Sequence, residues 1–336
     1  MHIISKRITT WLVNGVRVFL PEEKANALER WRRGREEYRK HSLCDYVFVS
    51  YGKSGRTWLR VMISRYYQQI YDIPGNLIMG FDNFHNINPE VPRIFYTHDT
   101  YLTRYTGNLD NKKDYYDKKT VLLVRRPQDV AVSQFFQWKY RMRPAKMTMN
   151  RYPRAGSDIP LYDFVMDDDI GLPHIIDYMN GWADELPRIR NLLLVRYEDM
   201  RADPETQLGR IVSFLGLEPD PAHIRSAIEF SSVENMRKME KENYFWRSGG
   251  RVKARDPSNP DSYKVRRAKV GGYRDYFDDR QLAEIDGLVD TRLSEVFGYR
   301  SGAVPASSDD SPAVGHDRHP GRDEPASVTG DQQAAR

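Results

Sequence analysis

Four short apolar runs, most of them followed by residues at helical spacing, order the middle of the chain. Tyr46-Val47-Phe48-Val49 reads as a buried strand, and a glycine-containing loop follows it. Beyond that loop Leu59, Met62, Ile63, Tyr66 and Ile70 recur with the period of a helix. Arg93 to Thr97, Val121 to Val124 and Leu192 to Val195 read as the next three strands. Pro127 stands where a helix begins after the third. After the fourth, Asp203 and Pro204 predict a helix cap and first turn, Leu208, Ile211, Val212 and Leu215 its apolar face, and Gly216 its end. Strands alternating with helices predict an α/β fold, a mainly parallel sheet covered on both faces in three α/β/α layers. In such folds ligands bind beyond the carboxyl ends of the strands.

The pattern divides the chain into an N-terminal extension (1–44), one domain (45–300) and a tail (301–336). From Ser301 the apolar side chains are no larger than Val and the rest is mainly Ser, Ala, Pro, Gly and Asp, so the tail is expected to be disordered. Arg30, Arg32, Arg33, Arg35, Arg39 and Lys40 crowd residues 22–41 among glutamates, which predicts a solvated helix. A single cysteine, Cys44, excludes a disulfide framework and a cysteine-built zinc site. Val121 to Val124 has four residues, where a membrane span takes roughly 20. Asn14 and Arg17 interrupt the first apolar stretch before it can act as a secretory core. A soluble, cytoplasmic protein is the expectation. Residues 1–20, with Lys6, Arg7 and Arg17 among Trp11, Leu12, Val16, Phe19 and Leu20, read either as a segment packed on the body or as a peripheral contact with an anionic membrane.

The net charge is +5, and because the tail carries −3 the body stands near +8. That balance favours an anionic ligand without selecting one. The loop Ser50-Tyr51-Gly52-Lys53-Ser54-Gly55-Arg56-Thr57-Trp58 suits such a ligand: glycine turns backbone amides inward, a helix begins, Lys53 supplies charge, and Ser54 and Thr57 supply hydroxyls. An ordinary strand–helix turn with an exposed lysine is the alternative. The order departs from the nucleoside-triphosphatase pattern, since Lys53 precedes Gly55 and no glycine stands five residues before it.

The segment resembles the 5′-phosphosulfate loop of cytosolic-type sulfotransferases, Tyr-Pro-Lys-Ser-Gly-Thr-Thr-Trp, with Gly52 and Arg56 in place of Pro and Thr. Three more segments follow in that family's order. Arg125, leaving a strand, and Ser133, eight residues on, resemble its 3′-phosphate pair. Val195-Arg196-Tyr197-Glu198-Asp199 and Ser231-Ser232-Val233-Glu234-Asn235-Met236 resemble its adenine-side segments, so that Tyr197, Ser231, Val233 and Met236 would border the base and Trp58 would stack on it or cover it. Core roles are the alternative for Tyr197, Met236 and Trp58. Arg266-Arg267-Ala268-Lys269-Val270-Gly271 resembles the C-terminal signature whose basic pair binds the 3′-phosphate, with Ala268 in place of a glycine. The resemblance runs from Tyr46 to Phe277. It implies a P-loop-containing α/β fold and 3′-phosphoadenosine 5′-phosphosulfate (PAPS) as sulfuryl donor, bound by Lys53, Ser54, Gly55, Arg56, Thr57 and the residues just named.

Sulfuryl transfer resembles phosphoryl transfer, in which positioning and charge stabilisation carry most of the catalysis. The site needs a cation near the bridging oxygen and a base for the acceptor hydroxyl. Lys53 matches the first role. His98, in Phe95-Tyr96-Thr97-His98-Asp99, matches the family's catalytic histidine, with Tyr96 where a lysine is common and Asp99 placed to orient the ring. No metal is implied, because His85, His98 and His174 have no metal-ligand spacing. Aromatic and basic residues mix at 138–154 and again at 243–255, read as loops over the acceptor or as solvated surface. The expected partner is a hydroxylated acceptor (a glycan, glycolipid or other alcohol before a phenol) and not a nucleic acid. A P-loop kinase and a non-catalytic adenosine-nucleotide binder are the competing classes. The loop order and the Arg125/Ser133 pair disfavour the first, and the retention of both Lys53 and His98 disfavours the second.

Overall fold

The computed structural model describes residues 20–248 and 252–302. The four apolar runs are strands β1 (Tyr46–Val49), β2 (Ile94–Thr97), β3 (Lys119–Val124) and β4 (Leu192–Arg196). They form one parallel sheet in the order β2-β1-β3-β4. Strands of a sheet buried on both faces favour near-continuous apolar runs, and the apolar side chains divide between the two faces. Val47, Val49, Leu122 and Val124 enter the core on one face, whereas Tyr46, Phe48, Val121, Leu123, Leu193 and Val195 enter the core on the other.

The helices, in chain order, are α1 (Glu22–Leu43), α2 (Arg56–Tyr71), α3 (Leu102–Thr106), α4 (Pro127–Arg141), α5 (Pro144–Met149), α6 (Leu161–Met166), α7 (Leu172–Ala183), α8 (Tyr197–Ala202), α9 (Pro204–Phe214), α10 (Pro221–Phe230), α11 (Val233–Glu242) and α12 (Asp279–Arg292). Residues of α4, α7 and α12 complete the first core, and residues of α2, α9 and α10 complete the second. The result is the three-layer α/β/α arrangement predicted. Local chemistry sets the helix starts. Pro127 and Pro204 occupy first helical positions, and the Asp203 side chain accepts from the Thr206 N–H at 3.1 Å.

The basic N-terminal helix departs from expectation. α1 is not simply solvated: Ala25, Asn26, Glu29, Gly34 and His41 are buried along it. A Cβ on Gly34 would lie 2.6 Å from Tyr105 Cβ, so α1 and α3 meet at a contact only glycine permits. Its charges spread over both faces and conceal this stripe from a periodicity reading. The membrane-or-packing expectation for residues 1–20 falls outside the described residues, save for Leu20, as does the tail from residue 303.

Candidate active site

Each strand delivers one residue to a common edge. Ser50 follows β1, His98 follows β2, Arg125 follows β3, and Tyr197 opens the helix after β4. The strands are parallel, so these residues share the carboxyl end of the sheet, where the chain's path reverses about β1. A cavity of about 810 Å³ opens there. Lys53, Gly55, Arg56, Thr57, Trp58 and His98 line it from the first two strand ends. Arg125, Ser133, Tyr197, Ser231, Val233, Met236, Arg266, Arg267 and Ala268 line it from the rest of the chain. Ser54 is the one candidate off the wall, buried behind the loop.

The loop after β1 turns through left-handed backbone at Lys53 (φ 71°) and Gly55 (φ 94°) and enters α2 at Arg56. The Lys53 amine reaches toward Gln137 Oε1, 3.5 Å away. Burial, together with the charges of Arg141, Lys264 and Arg125, pulls its pKa down to about 7. Behind it, Arg141 pairs with the fully buried Glu240 at 2.9 Å. Glu240 also accepts from the backbone N–H groups of Lys264 (2.7 Å) and Val265 (3.2 Å), fixing the approach to the Arg266/Arg267 segment.

Arg125 donates to the Lys53 carbonyl at 3.2 Å, lies 3.6 Å from Asp129 and stacks 4.4 Å above the Tyr197 ring. Its Nε is buried without a partner among the described residues. Ser133 stands two turns into α4, facing the same cavity. Asp129 accepts from the N–H groups of Gly271 (2.8 Å) and Tyr273 (3.0 Å), which docks the C-terminal loop on α4. Arg266 stacks on Phe136 at 3.7 Å, and both Arg266 and Arg267 donate to the Tyr276 hydroxyl. Ala268 adopts φ 53°, a left-handed conformation that glycine would take more readily. Cations converging beside an unsatisfied guanidinium nitrogen suit a ligand with several negative charges. On the neighbouring wall Trp58 donates to the Ser231 carbonyl at 3.0 Å and meets Tyr197 edge to face at 5.8 Å. Met236 belongs both to this wall and to the apolar cluster behind it.

His98 is fixed by two bonds that together set its tautomer. Nδ1 lies 2.7 Å from the Ser50 carbonyl, which can only accept, so Nδ1 carries the proton. Nε2 faces Arg56 Nη2 at 2.6 Å, a group that can only donate, so Nε2 holds the lone pair. Burial and the Arg56 charge push the His98 pKa well below the ordinary histidine value, leaving the ring neutral at pH 7. Asp99 does not orient the ring. Its buried carboxylate pairs with Lys112 at 2.8 Å and accepts from Tyr115 at 2.6 Å, because the left-handed turn at Asp99 (φ 59°) takes it away from the imidazole. Tyr96 lies off the cavity, under the Arg60 guanidinium at 3.7 Å.

Residues 138–154 divide in a way their composition conceals. Trp138 is core, stacked 5.1 Å from Phe164, and Arg141 is held by Glu240, whereas Lys146, Arg151 and Tyr152 line the cavity. Of the second stretch, Phe245 and Val252 are buried and residues 249–251 lie outside the described residues. Sequence reasoning also missed Arg33 and Glu37, which reach the cavity from α1. The only signal for them was an acid repeated among the bases of that helix.

A strand-end anion loop joined to a basic triad from two distant segments defines a site for a multiply charged anion on a three-layer α/β fold. Residues 44–297 match the model of the sulfotransferase domain, and the chain belongs to that family. It is 22% identical to Sulfotransferase 2A1 of Homo sapiens over 264 residues, covering 75% of this chain and 85% of that protein. It is 26% identical to the flavonol 4′-sulfotransferase of Flaveria chlorifolia over 270 residues, covering 74% and 79%. Among solved structures, mouse sulfotransferase SULT7A1 complexed with PAP shares the fold at a TM-score of 0.50 and 22% identity, covering 74% of this chain and 84% of that one. No helix among the described residues is long and apolar enough to cross a membrane.

Proposed function

We propose that the protein transfers a sulfuryl group from PAPS to an acceptor hydroxyl, with His98 as general base and Lys53 as the cation at the leaving oxygen. The observation that supports this reading is one cavity holding both Lys53 and His98 beside the Arg125, Ser133, Arg266 and Arg267 set. Those four residues suit a 3′-phosphate, the α2 N-terminus with Lys53 and Thr57 suits the 5′ side, and Trp58 and Tyr197 offer faces to the base. The donor supplies the sulfuryl group. His98 Nε2 takes the hydroxyl proton while the acceptor oxygen forms its bond to sulfur. Lys53 offsets the charge left on the phosphate oxygen as the old sulfur–oxygen bond breaks. The Ser50 carbonyl keeps the ring in the tautomer this requires.

Thermal denaturation with adenosine 3′,5′-bisphosphate and with AMP tests the donor assignment. A ligand that binds only the native state raises Tm by mass action. The bisphosphate is expected to stabilise at micromolar concentration and AMP to do little, whereas equal stabilisation by AMP would remove the role given to the 3′-phosphate set.

A further inference from the structure

Arg56 begins α2 at the donor loop, yet its side chain leaves the donor side. The guanidinium donates to the Thr97 carbonyl and to His98 Nε2, so a cation covers the atom that must receive the acceptor's proton. Two further cations face the same part of the cavity. Arg33 comes from α1, held to Glu29 at 2.8 Å and lying over the Tyr101 ring at 5.5 Å. Lys146 comes from α5 and has no ion pair or side-chain hydrogen bond among the described residues. Burial and the charges of Arg33 and Arg56 lower the Lys146 pKa, a sign that like charges gather there without an equal counter-charge. One cavity acid, Glu37, does act on Arg56, but burial pushes its pKa up to about 7, and it also accepts from Thr97 Oγ1 at 3.2 Å and from the Leu102 N–H at 3.1 Å, so it offsets the three cations only in part.

The contrast with the opposite side of the cavity gives this cluster its meaning. Beside Lys53, the buried Arg141 is answered by Glu240 within the protein. Around His98 the cations exceed the acids, which is the arrangement that complements an anionic ligand. The donor's own charges are accounted for by Lys53, Arg125 and the C-terminal pair, so the excess belongs to the acceptor side.

We infer that the acceptor carries an anionic group (carboxylate, sulfate or phosphate) near the hydroxyl to be sulfated, bound by Arg56, Lys146 and Arg33, and that this group draws Arg56 away from His98 Nε2. The inference rests on the sulfuryl-transfer reading. A neutral acceptor gives Arg56 no reason to leave the imidazole, because a ligand shifts an equilibrium only by its differential interaction with the two states. An anion offers the guanidinium a charge-assisted partner. Removal of the guanidinium uncovers Nε2, and neutralisation of its charge restores basicity to the ring. The acceptor thereby prepares its own general base.

The test uses enzyme saturated with adenosine 3′,5′-bisphosphate, so that added anions cannot enter the donor site. Calorimetric titrations compare 4-hydroxybenzoate with 4-hydroxybenzamide, and 4-nitrophenyl β-glucuronide with 4-nitrophenyl β-glucoside. In at least one pair the anion is expected to bind about tenfold or more tightly, equivalent to about 1.4 kcal/mol. Lys146→Gln is expected to reduce that preference several-fold and Lys146→Arg to retain it, with bisphosphate affinity the same in both. Nitrogen NMR of labelled histidine is expected to show the His98 pKa rising with the anion and not with its neutral counterpart. Absence of anion preference in both pairs, or a preference undiminished in Lys146→Gln, overturns the inference while leaving bisphosphate binding intact. Failure of the bisphosphate itself to bind strikes the sulfuryl-transfer reading on which the inference rests.

Discussion

Gly55 passes so close to Tyr197 that a Cβ on the glycine would lie 2.5 Å from Tyr197 Cδ2. The loop after β1 and the helix after β4 are thereby locked across the sheet edge, and the lock needs a residue without a side chain at φ 94°. Gly55→Ala meets two penalties, roughly 1–2 kcal/mol for left-handed backbone and about 1–3 kcal/mol for overpacking. The expected outcome is a loss of about 2–5 kcal/mol in urea unfolding and of measurable bisphosphate binding. A variant with unchanged stability and affinity would show that the loop relaxes freely.

The buried Arg141–Glu240 pair leads to a second prediction. Glu240 has no exposure and holds a guanidinium and two backbone N–H groups. Glu240→Gln leaves Arg141 as an uncompensated buried cation, a change that costs about 3–5 kcal/mol. Chemical denaturation is expected to show a loss in that range. A loss below about 1 kcal/mol would mean that water reaches Arg141 and screens it.

The strands were legible because a sheet buried on both faces writes unbroken apolar runs. Val47 and Phe48 enter opposite cores and both must be apolar. The loop Ser50 to Trp58, His98 and the Arg125/Ser133 spacing were legible because their chemistry is local in sequence. What the sequence concealed depends on direction or on distant contact. Arg56 reads as a loop residue on the donor side, but its side chain turns to His98. Asp99 adjoins His98 in sequence, but a left-handed turn sends it to Lys112. Trp138 and Lys146 share one mixed stretch, and only the third dimension separates core from cavity.

Lys53 makes donor binding sensitive to pH. The groups that act on it are Arg141 from α4, Lys264, Arg125 at the end of β3, and Glu240 from α11. Burial and the three cations hold its pKa to about 7, so about half of the free enzyme carries the proton at that pH. A bound 5′-phosphate favours the charged amine and raises that pKa. Binding therefore takes up a proton, and affinity is greatest below pH 7 and falls as pH rises. Adenosine 3′,5′-bisphosphate is expected to bind about fivefold more weakly at pH 8 than at pH 7, a range above the phosphates' own second pKa of about 6. Calorimetry at pH 7.5 in buffers of different ionisation enthalpy should register the uptake, and Lys53→Met should abolish it. Proton release in the wild type, or uptake undiminished in Lys53→Met, would assign the linkage to another group.

His98 and its neighbour Asp99 are expected to part company on mutation. The imidazole is positioned by the Ser50 carbonyl, with Nε2 under the Arg56 guanidinium at the cavity wall, so His98→Ala removes the proton acceptor while leaving the donor phosphates' partners in place. Turnover is expected to fall about 100-fold or more with bisphosphate affinity unchanged. Because burial and Arg56 hold the ring neutral in the free enzyme, the wild-type kcat/KM should show no loss from His98 protonation on the acid side until well below pH 6.5. Asp99→Asn tolerates the left-handed backbone at φ 59° but withdraws the counter-charge of the buried Lys112. Stability is expected to fall by about 3 kcal/mol, while turnover per folded molecule stays within about threefold of wild type, since no bond from Asp99 reaches the ring. The two measurements are made on the same preparations, with the folded fraction fixed by denaturant titration. An Asp99→Asn enzyme that stays folded yet loses activity as far as His98→Ala does would place Asp99 in the proton-transfer path, against the bonds it makes to Lys112 and Tyr115.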